Sequence, residues 1–304
     1  MSEKTTIELI KELRTTTQAP MSDCKSALDE CNNDIEKAIQ WLREKGIAKA
    51  NKKAGSIAAE GIIKAGIYNE RAVVIEVNSQ TDFVAKNEKF IKLVDDIYKG
   101  IASQNSDETD VKDIFINGNS LDKIGLELSG LLGEKIAFRR AAVIKKLENQ
   151  TLGTYNHSND RIGVIILINT LVEAEVAKNI AMHIAASNPK FIDINEVNDE
   201  WLNNERNIIE KQFEDEMKEI SNPKEKENKV NRKDIIIQGR IDKLLNELCL
   251  LNQPYIKDPS LKVSDYLKQF TAKVLLIHRY ELGEGIAKKQ DNFAEEVASQ
   301  MNTK

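Results

Sequence analysis

The chain carries two versions of one strand–strand–helix unit, and that repetition restricts its fold more than any single motif. Ala65-Gly66-Ile67-Tyr68-Asn69, followed by Arg71 to Val77, is matched by Leu152-Gly153-Thr154-Tyr155-Asn156, followed by Arg161 to Ile168. Each pair of runs has strand length and then gives way to helical spacing. In the first copy the helix is marked by Phe90, Leu93, Val94, Ile97 and Ile101; in the second by Val176, Ile180 and Ile184, with Asn188-Pro189 as its stop. Such a repeat predicts an α+β fold of two related halves, each a small antiparallel sheet covered by helices on one face.

The copies differ most where strand hands over to helix. The second reads Thr170-Leu171-Val172; the first reads Asn78-Ser-Gln-Thr-Asp-Phe-Val-Ala-Lys-Asn87. Two copies of a scaffold that diverge at one loop point to that loop as the place where function was added. Thr81 suits a helix N-cap, with Asp82 in the first turn where its charge meets the helix dipole favourably. Phe83 falls out of register with the apolar face that begins at Phe90. On the residues alone it is either a plug of the core or an exposed contact.

The remaining segments divide around this repeat. Residues 1–54 read as three short helices and a basic linker. The first helix carries Ile7, Leu9, Ile10 and Leu13. Ser22 is the expected cap of the second, with Met21 just before it and Cys24, Ala27, Leu28 and Cys31 inside. Asn33-x-x-Glu36 is a capping-box-like start for the third, and Gly46 its expected stop. Residues 55–147 form the first half, with Ser103 to Asn119 as loop, a helix at Leu121, Ile124, Leu128 and Leu131, and a closing strand from Ile136. Residues 148–200 and 250–282 form the second half. Between them, 201–249 predicts an inserted antiparallel pair of long charged helices. Their stripes are Leu202, Ile209, Phe213, Met217 and Ile220, then Ile237, Ile241, Leu244, Leu245 and Leu248, joined by a tight turn at Ser221-Asn222-Pro223. Residues 283–304 predict a Gly283-Glu284-Gly285 hinge and a C-terminal helix over Phe293 to Met301.

Composition excludes several roles. With 304 residues, 41% hydrophobic and 31% charged, the chain reads as soluble and globular, large enough for a substantial core. A net charge of −5 argues against direct nucleic-acid binding, which needs a basic face; the run Arg43, Lys45, Lys49, Lys52 and Lys53 reads as a solvated linker. No window approaches a membrane span, the N-terminus lacks a signal-peptide run, and Cys24, Cys31 and Cys249 form no Cys-x-x-Cys, so a reducing cytoplasm is expected. Gly125-x-x-x-x-Gly130 has phosphate-loop glycine spacing, but Leu131-Leu132 stands where Lys and a hydroxyl residue would be needed. His157, His183 and His278 have no metal-ligand spacing, and His183 fits a satisfied core histidine. No catalytic residue, metal site or cofactor is expected, and the chain is read as not an enzyme.

Thr81-Asp82-Phe83-Val84-Ala85-Lys86-Asn87 resembles the signature of the bacterial elongation factor Ts family. So, in order, do Met21-Ser22-Asp23-Cys24-Lys25, Lys52-Lys53-Ala54-Gly55, Gly133-Glu134-Lys135-Ile136, Arg139-Arg140, Gly153-Thr154-Tyr155, Arg161-Ile162-Gly163-Val164, Ile180-Ala181-Met182-His183, Gly239-Arg240, Gln253-Pro254 and Gly283-Glu284-Gly285. The resemblance implies a ubiquitin-associated-like N-terminal bundle. It also implies a guanine-nucleotide exchange factor that binds elongation factor Tu in translation elongation. Thr81, Asp82, Phe83 and Val84 would form the wedge that disturbs the partner's magnesium and phosphate site. Leu132 and Gly133 would lie near the partner's phosphate loop, His157 would reach its third domain, and Met21 belongs to the bundle that would grip its nucleotide domain. The loop Asn156 to Asp160 is longer than the family pattern, which bears on the His157 contact. A bundle serving another partner, and pairing of two copies through the helical hairpin, are the alternative uses of these modules.

Overall fold

The computed structural model describes residues 5–17, 19–53, 55–103, 115–116, 118–157 and 159–286. Its centre is two three-stranded antiparallel sheets packed face to face. The first holds β1 (Glu60–Tyr68), β2 (Arg71–Ser79) and β5 (Ile136–Lys145), in the order β1-β2-β5. The second holds β6 (Thr151–His157), β7 (Ile162–Ile168) and β10 (Val274–Glu281), in the order β10-β7-β6. In each, a hairpin's second strand is central and a later strand pairs with its free edge, so the repeat extends to topology.

Side-chain alternation explains why the central strands are apolar on both faces over most of their length. On β2, Val73, Ile75 and Val77 face the helices of their own half, while Ala72 and Val74 face the other sheet. On β7, Val164, Ile166 and Ile168 face the helix, and Ile165 and Leu167 the opposing sheet. Both faces are buried, so the polar residues of β2, among them Glu76, Asn78 and Ser79, are buried with it rather than forming a solvent side. Gly163 permits the close approach of the sheets: a β-carbon there would lie 2.5 Å from Ile63 Cγ2.

Helices cover the outer faces. In the first half these are α4 (Asp82–Ala85), α5 (Glu88–Ser103) and α6 (Leu121–Leu132); in the second, α7 (Ala174–Ser187). Phe90, Val94, Ile97 and Ile101 of α5 fall inside the core, as their spacing predicts. The segment expected as loop after Ser103 is only partly described. Within it Phe115–Ile116 (β3) pairs with Asn119–Ser120 (β4), and Ser120 caps α6 by accepting from Lys123 N at 3.3 Å.

Three sequence expectations about the N-terminal helices are corrected. Helix α2 (Met21–Glu30), which follows α1 (Thr6–Thr17), begins one residue before Ser22, and Pro20 at its cap gives no side-chain bond. Asp34, not Asn33, caps α3 (Ile35–Lys52), accepting from Lys37 N at 3.1 Å; Asn33 takes a left-handed φ of 62°. Gly46 does not stop α3. The helix continues to Lys52 and crosses α6, where Gly46 meets Gly130, so the stretch read as linker is helical and docked. An interior glycine can mark close helix packing as readily as an end.

The insertion has three helices rather than two: α8 (Asp199–Glu219), α9 (Pro223–Val230) and α10 (Lys233–Leu248). Pro223 occupies the first turn of α9, with Asn222 as cap, so it starts a helix as well as ending the preceding segment. Ile209, Phe213 and Met217 are buried on α8, and Ile237, Ile241 and Leu245 on α10. The return to the body contains a small hairpin of β8 (Pro254–Tyr255) and β9 (Asp258–Lys262), then α11 (Val263–Lys268). The expected hinge is a pinned turn: Gly283 N donates to Glu76 Oε1 at 2.9 Å, and Arg140 Nη2 donates to Glu281 O at 3.1 Å. The expected C-terminal helix at Phe293 to Met301 lies outside the described residues.

Candidate functional site

The handover segment leaves β2 at Ser79 and forms the single turn α4 before α5 begins. Thr81 caps it, its side chain accepting from Val84 N at 3.4 Å. Val84 points into the core at 8% exposure, packing among the side chains of β2 and α5. Phe83, one residue earlier on the same turn, points outward and is 80% exposed. A one-turn helix cannot bury two consecutive side chains in one direction, and Val84 takes the inward place. Of the two readings of Phe83, the structure excludes the core plug.

Asp82 is exposed beside it and receives a hydrogen bond from Lys86 Nζ at 2.7 Å. That bond holds its carboxyl below the usual carboxylate range. Asp82 and Lys86 line one side of a cleft of about 770 Å³, with Asn156 of β6 and Asn159, Asp160 and Arg161 of the β6–β7 loop also on its wall. The loop is two residues longer than its counterpart: His157 pairs with Ile162, whereas Tyr68 pairs with Arg71.

Leu132 ends α6 and packs partly against the first core, while Gly133 follows with φ 74° and donates its N–H to Ser129 O at 2.9 Å. Lys53 Nζ donates to the Gly133 carbonyl. The next residue, Glu134, reaches Thr81 directly, so the Leu132–Gly133 turn and the Asp82–Phe83 corner form one continuous surface feature. His157 lies elsewhere, at the end of β6, with Tyr155 Oη 3.2 Å from its Nδ1. Met21 is exposed at the start of α2 on the bundle. The sequence carries no local signal for the role of Glu134, because its contact spans 53 residues and only strand register reveals it.

Among the described residues, no group of three or more His, Cys, Asp and Glu side chains is arranged to hold a metal ion, and no helix is long and apolar enough to cross a membrane. His183 is fully buried, its Nε2 2.9 Å from Gln253 Oε1 and its Nδ1 accepting from Ile256 N at 3.2 Å.

The family model described as "Elongation factor TS" matches residues 80–284, from the loop that carries this corner to the pinned turn after β10. The chain belongs to the elongation factor Ts family. The Elongation factor Ts of Ureaplasma parvum serovar 3 is 44% identical over 298 residues, covering 98% of this chain and 99% of its own. That of Malacoplasma penetrans is 45% identical over 293 residues, covering 96% and 97% respectively. That of Mycoplasma genitalium is 45% identical over 301 residues, covering 98% and 99%. The family is that of the nucleotide exchange factor for elongation factor Tu in translation elongation, a role that catalyses no covalent reaction.

Proposed function

We propose that this chain binds elongation factor Tu and speeds GDP release by pressing Phe83 and Asp82 against the partner's magnesium and phosphate site. The observation that carries the reading is the outward placement of Phe83, a large apolar ring held in solvent at 80% exposure beside a charged carboxylate. A nucleoside diphosphate is held mainly by magnesium and by donors arranged around its phosphates. Moving those donors by about an ångström weakens short charge-assisted bonds without any covalent step. The coupling is reciprocal, so nucleotide rebinding weakens the hold of the factor by the same energy and releases it.

The other contacts serve attachment. Leu132 and Gly133, joined to the corner through Glu134, would meet the partner near its phosphate loop. His157 would contact another domain across the cleft. Met21 would hold the partner's nucleotide domain from the bundle.

Stopped-flow release of fluorescent GDP from purified elongation factor Tu tests the reading. Phe83→Ala, and more so Asp82→Ala with Phe83→Ala, should slow stimulated release by about five- to 150-fold. Folding should be unaffected, because neither side chain is buried. Undiminished release by the double variant would refute the proposal.

A further inference from the structure

Strands β2 and β5 stop pairing at Ser79 and Ile136, yet the ladder continues for two rungs made with side chains. The Gln80 side-chain oxygen accepts from Lys135 N at 2.8 Å. One position further, the Glu134 carboxylate accepts the Thr81 backbone N–H at 3.1 Å and the Thr81 hydroxyl at 2.8 Å and 2.9 Å to its two oxygens. The positions continue the register of Ser79 opposite Ile136, so this is strand pairing in which one backbone partner per rung has been replaced.

The last rung determines the polarity of the helix cap. A hydroxyl has one proton, and Thr81 gives it to Glu134. Its lone pairs are then left for Val84 N, which donates at 3.4 Å. The turn that follows needs such support. At four residues α4 cannot repay the entropy of its own nucleation. Phe83 contributes little packing of its own, and Val84 anchors only the far side. The direction in which Phe83 projects therefore depends on how the peptide at Thr81 is held.

From this we infer that Glu134 is a positioning residue for exchange: its carboxylate fixes the N-terminal end of α4 and so sets the pose of Asp82 and Phe83. The inference rests on the exchange role proposed above for that corner. Glu134 need not touch the partner; it acts through Thr81. The same carboxylate transmits the position of the Gly133 turn, and with it the end of α3 through Lys53, to the corner.

The test is a double-mutant cycle in GDP release from elongation factor Tu, using the full chain. Glu134→Ala should lower the release rate at saturating factor by at least about fivefold, while the half-saturating concentration changes by less than about twofold. In the Asp82→Ala, Phe83→Ala background the same substitution should have no further effect. Glu134→Gln, which keeps an acceptor for the Thr81 N–H, should recover part of the rate. Amide hydrogen exchange of residues 79–85 should accelerate in Glu134→Ala even without the partner. An unchanged rate for Glu134→Ala, or an equal loss with and without Phe83, overturns the inference while leaving the exchange role in place. If the Asp82, Phe83 double variant itself releases GDP at full rate, the exchange role fails and this inference falls with it.

Discussion

Gly46 and Gly130 meet backbone to backbone where α3 crosses α6. A β-carbon built on Gly130 would lie 2.4 Å from the Gly46 carbonyl carbon and 2.6 Å from its oxygen. Those atoms belong to main chain, so a side chain at Gly130 cannot be accommodated by a rotamer change. The N-terminal bundle rests on the body through this crossing, assisted by the Arg43–Glu127 ion pair.

Gly130→Val is therefore expected to displace α3 and lower stability by roughly 1–3 kcal/mol, despite a better helix propensity. Urea denaturation measures the loss, and limited proteolysis between the bundle and the core should become faster. Gly239 is the control. It lies within α10, where an added β-carbon meets nothing within 4 Å. Gly239→Ala should stabilise the chain by about 0.5–1 kcal/mol. A tolerated Gly130→Val would contradict the close crossing.

The buried carboxylate of Glu76 gives a second prediction. The register of β2 against β5 shifts between Glu76 and Val77, leaving Arg139 as the extra residue of a bulge. Consecutive strand side chains normally point to opposite faces, yet here both Arg139 and Arg140 reach Glu76, at 3.0 Å and 2.6 Å. Asn78 and the Gly283 N–H complete its partners. Removing a buried charge partner is costly, so Glu76→Ala should destabilise by roughly 3 kcal/mol and Glu76→Gln by less. Matching urea midpoints for Glu76→Ala and the unaltered chain would rule this out.

Histidine burial predicts an acid-sensitive fold. Burial depresses the pKa of His183, and also that of His278, below the ordinary histidine value. A group with a lowered folded-state pKa binds fewer protons folded than unfolded. Its contribution is therefore complete above about pH 6.5 and is lost as the pH falls below that value. Protonating His183 Nδ1 would also forfeit the bond from Ile256 N. Denaturation at pH 7.5 and pH 5.5 should differ in midpoint, with the chain less stable in acid. In His183→Gln the baseline should be lower, but the difference between the two pH values should shrink.

Attachment and exchange should separate at Met21. Its side chain is exposed at the start of α2, so Met21→Asp should change stability by no more than about 0.5 kcal/mol. Calorimetric titration with elongation factor Tu should show weaker binding by about 1–2 kcal/mol. The release rate at saturation should hardly move. A loss of maximal rate with unchanged affinity would exclude Met21 from the grip.

Local pattern was enough wherever neighbours in sequence decide the outcome. The repeated hairpins, the amphipathic faces of α5 and α7, the Thr81 cap and the Gly133 helix end all rest on contacts within a few residues. They are readable from periodicity and cap chemistry. Gly46 is the complementary case: a glycine looks the same in sequence whether it ends a helix or admits another helix, and Gly130 lies 84 positions away. Pro223 likewise breaks one helix and starts another, and only the geometry of the insertion distinguishes the two.

The amino-acid order by itself determined the two-half architecture, the odd loop between Asn78 and Asn87, and the family to which those residues point. Only tertiary structure decided that Phe83 faces solvent while Val84 fills the core, and that Glu134 clamps Thr81. Consecutive side chains on a short turn compete for one inward direction, and the winner depends on the sheet and helix that surround them. Register between strands joined through 56 intervening residues, from Ser79 to Ile136, is likewise fixed by which faces must be buried, a condition met only when the whole core closes.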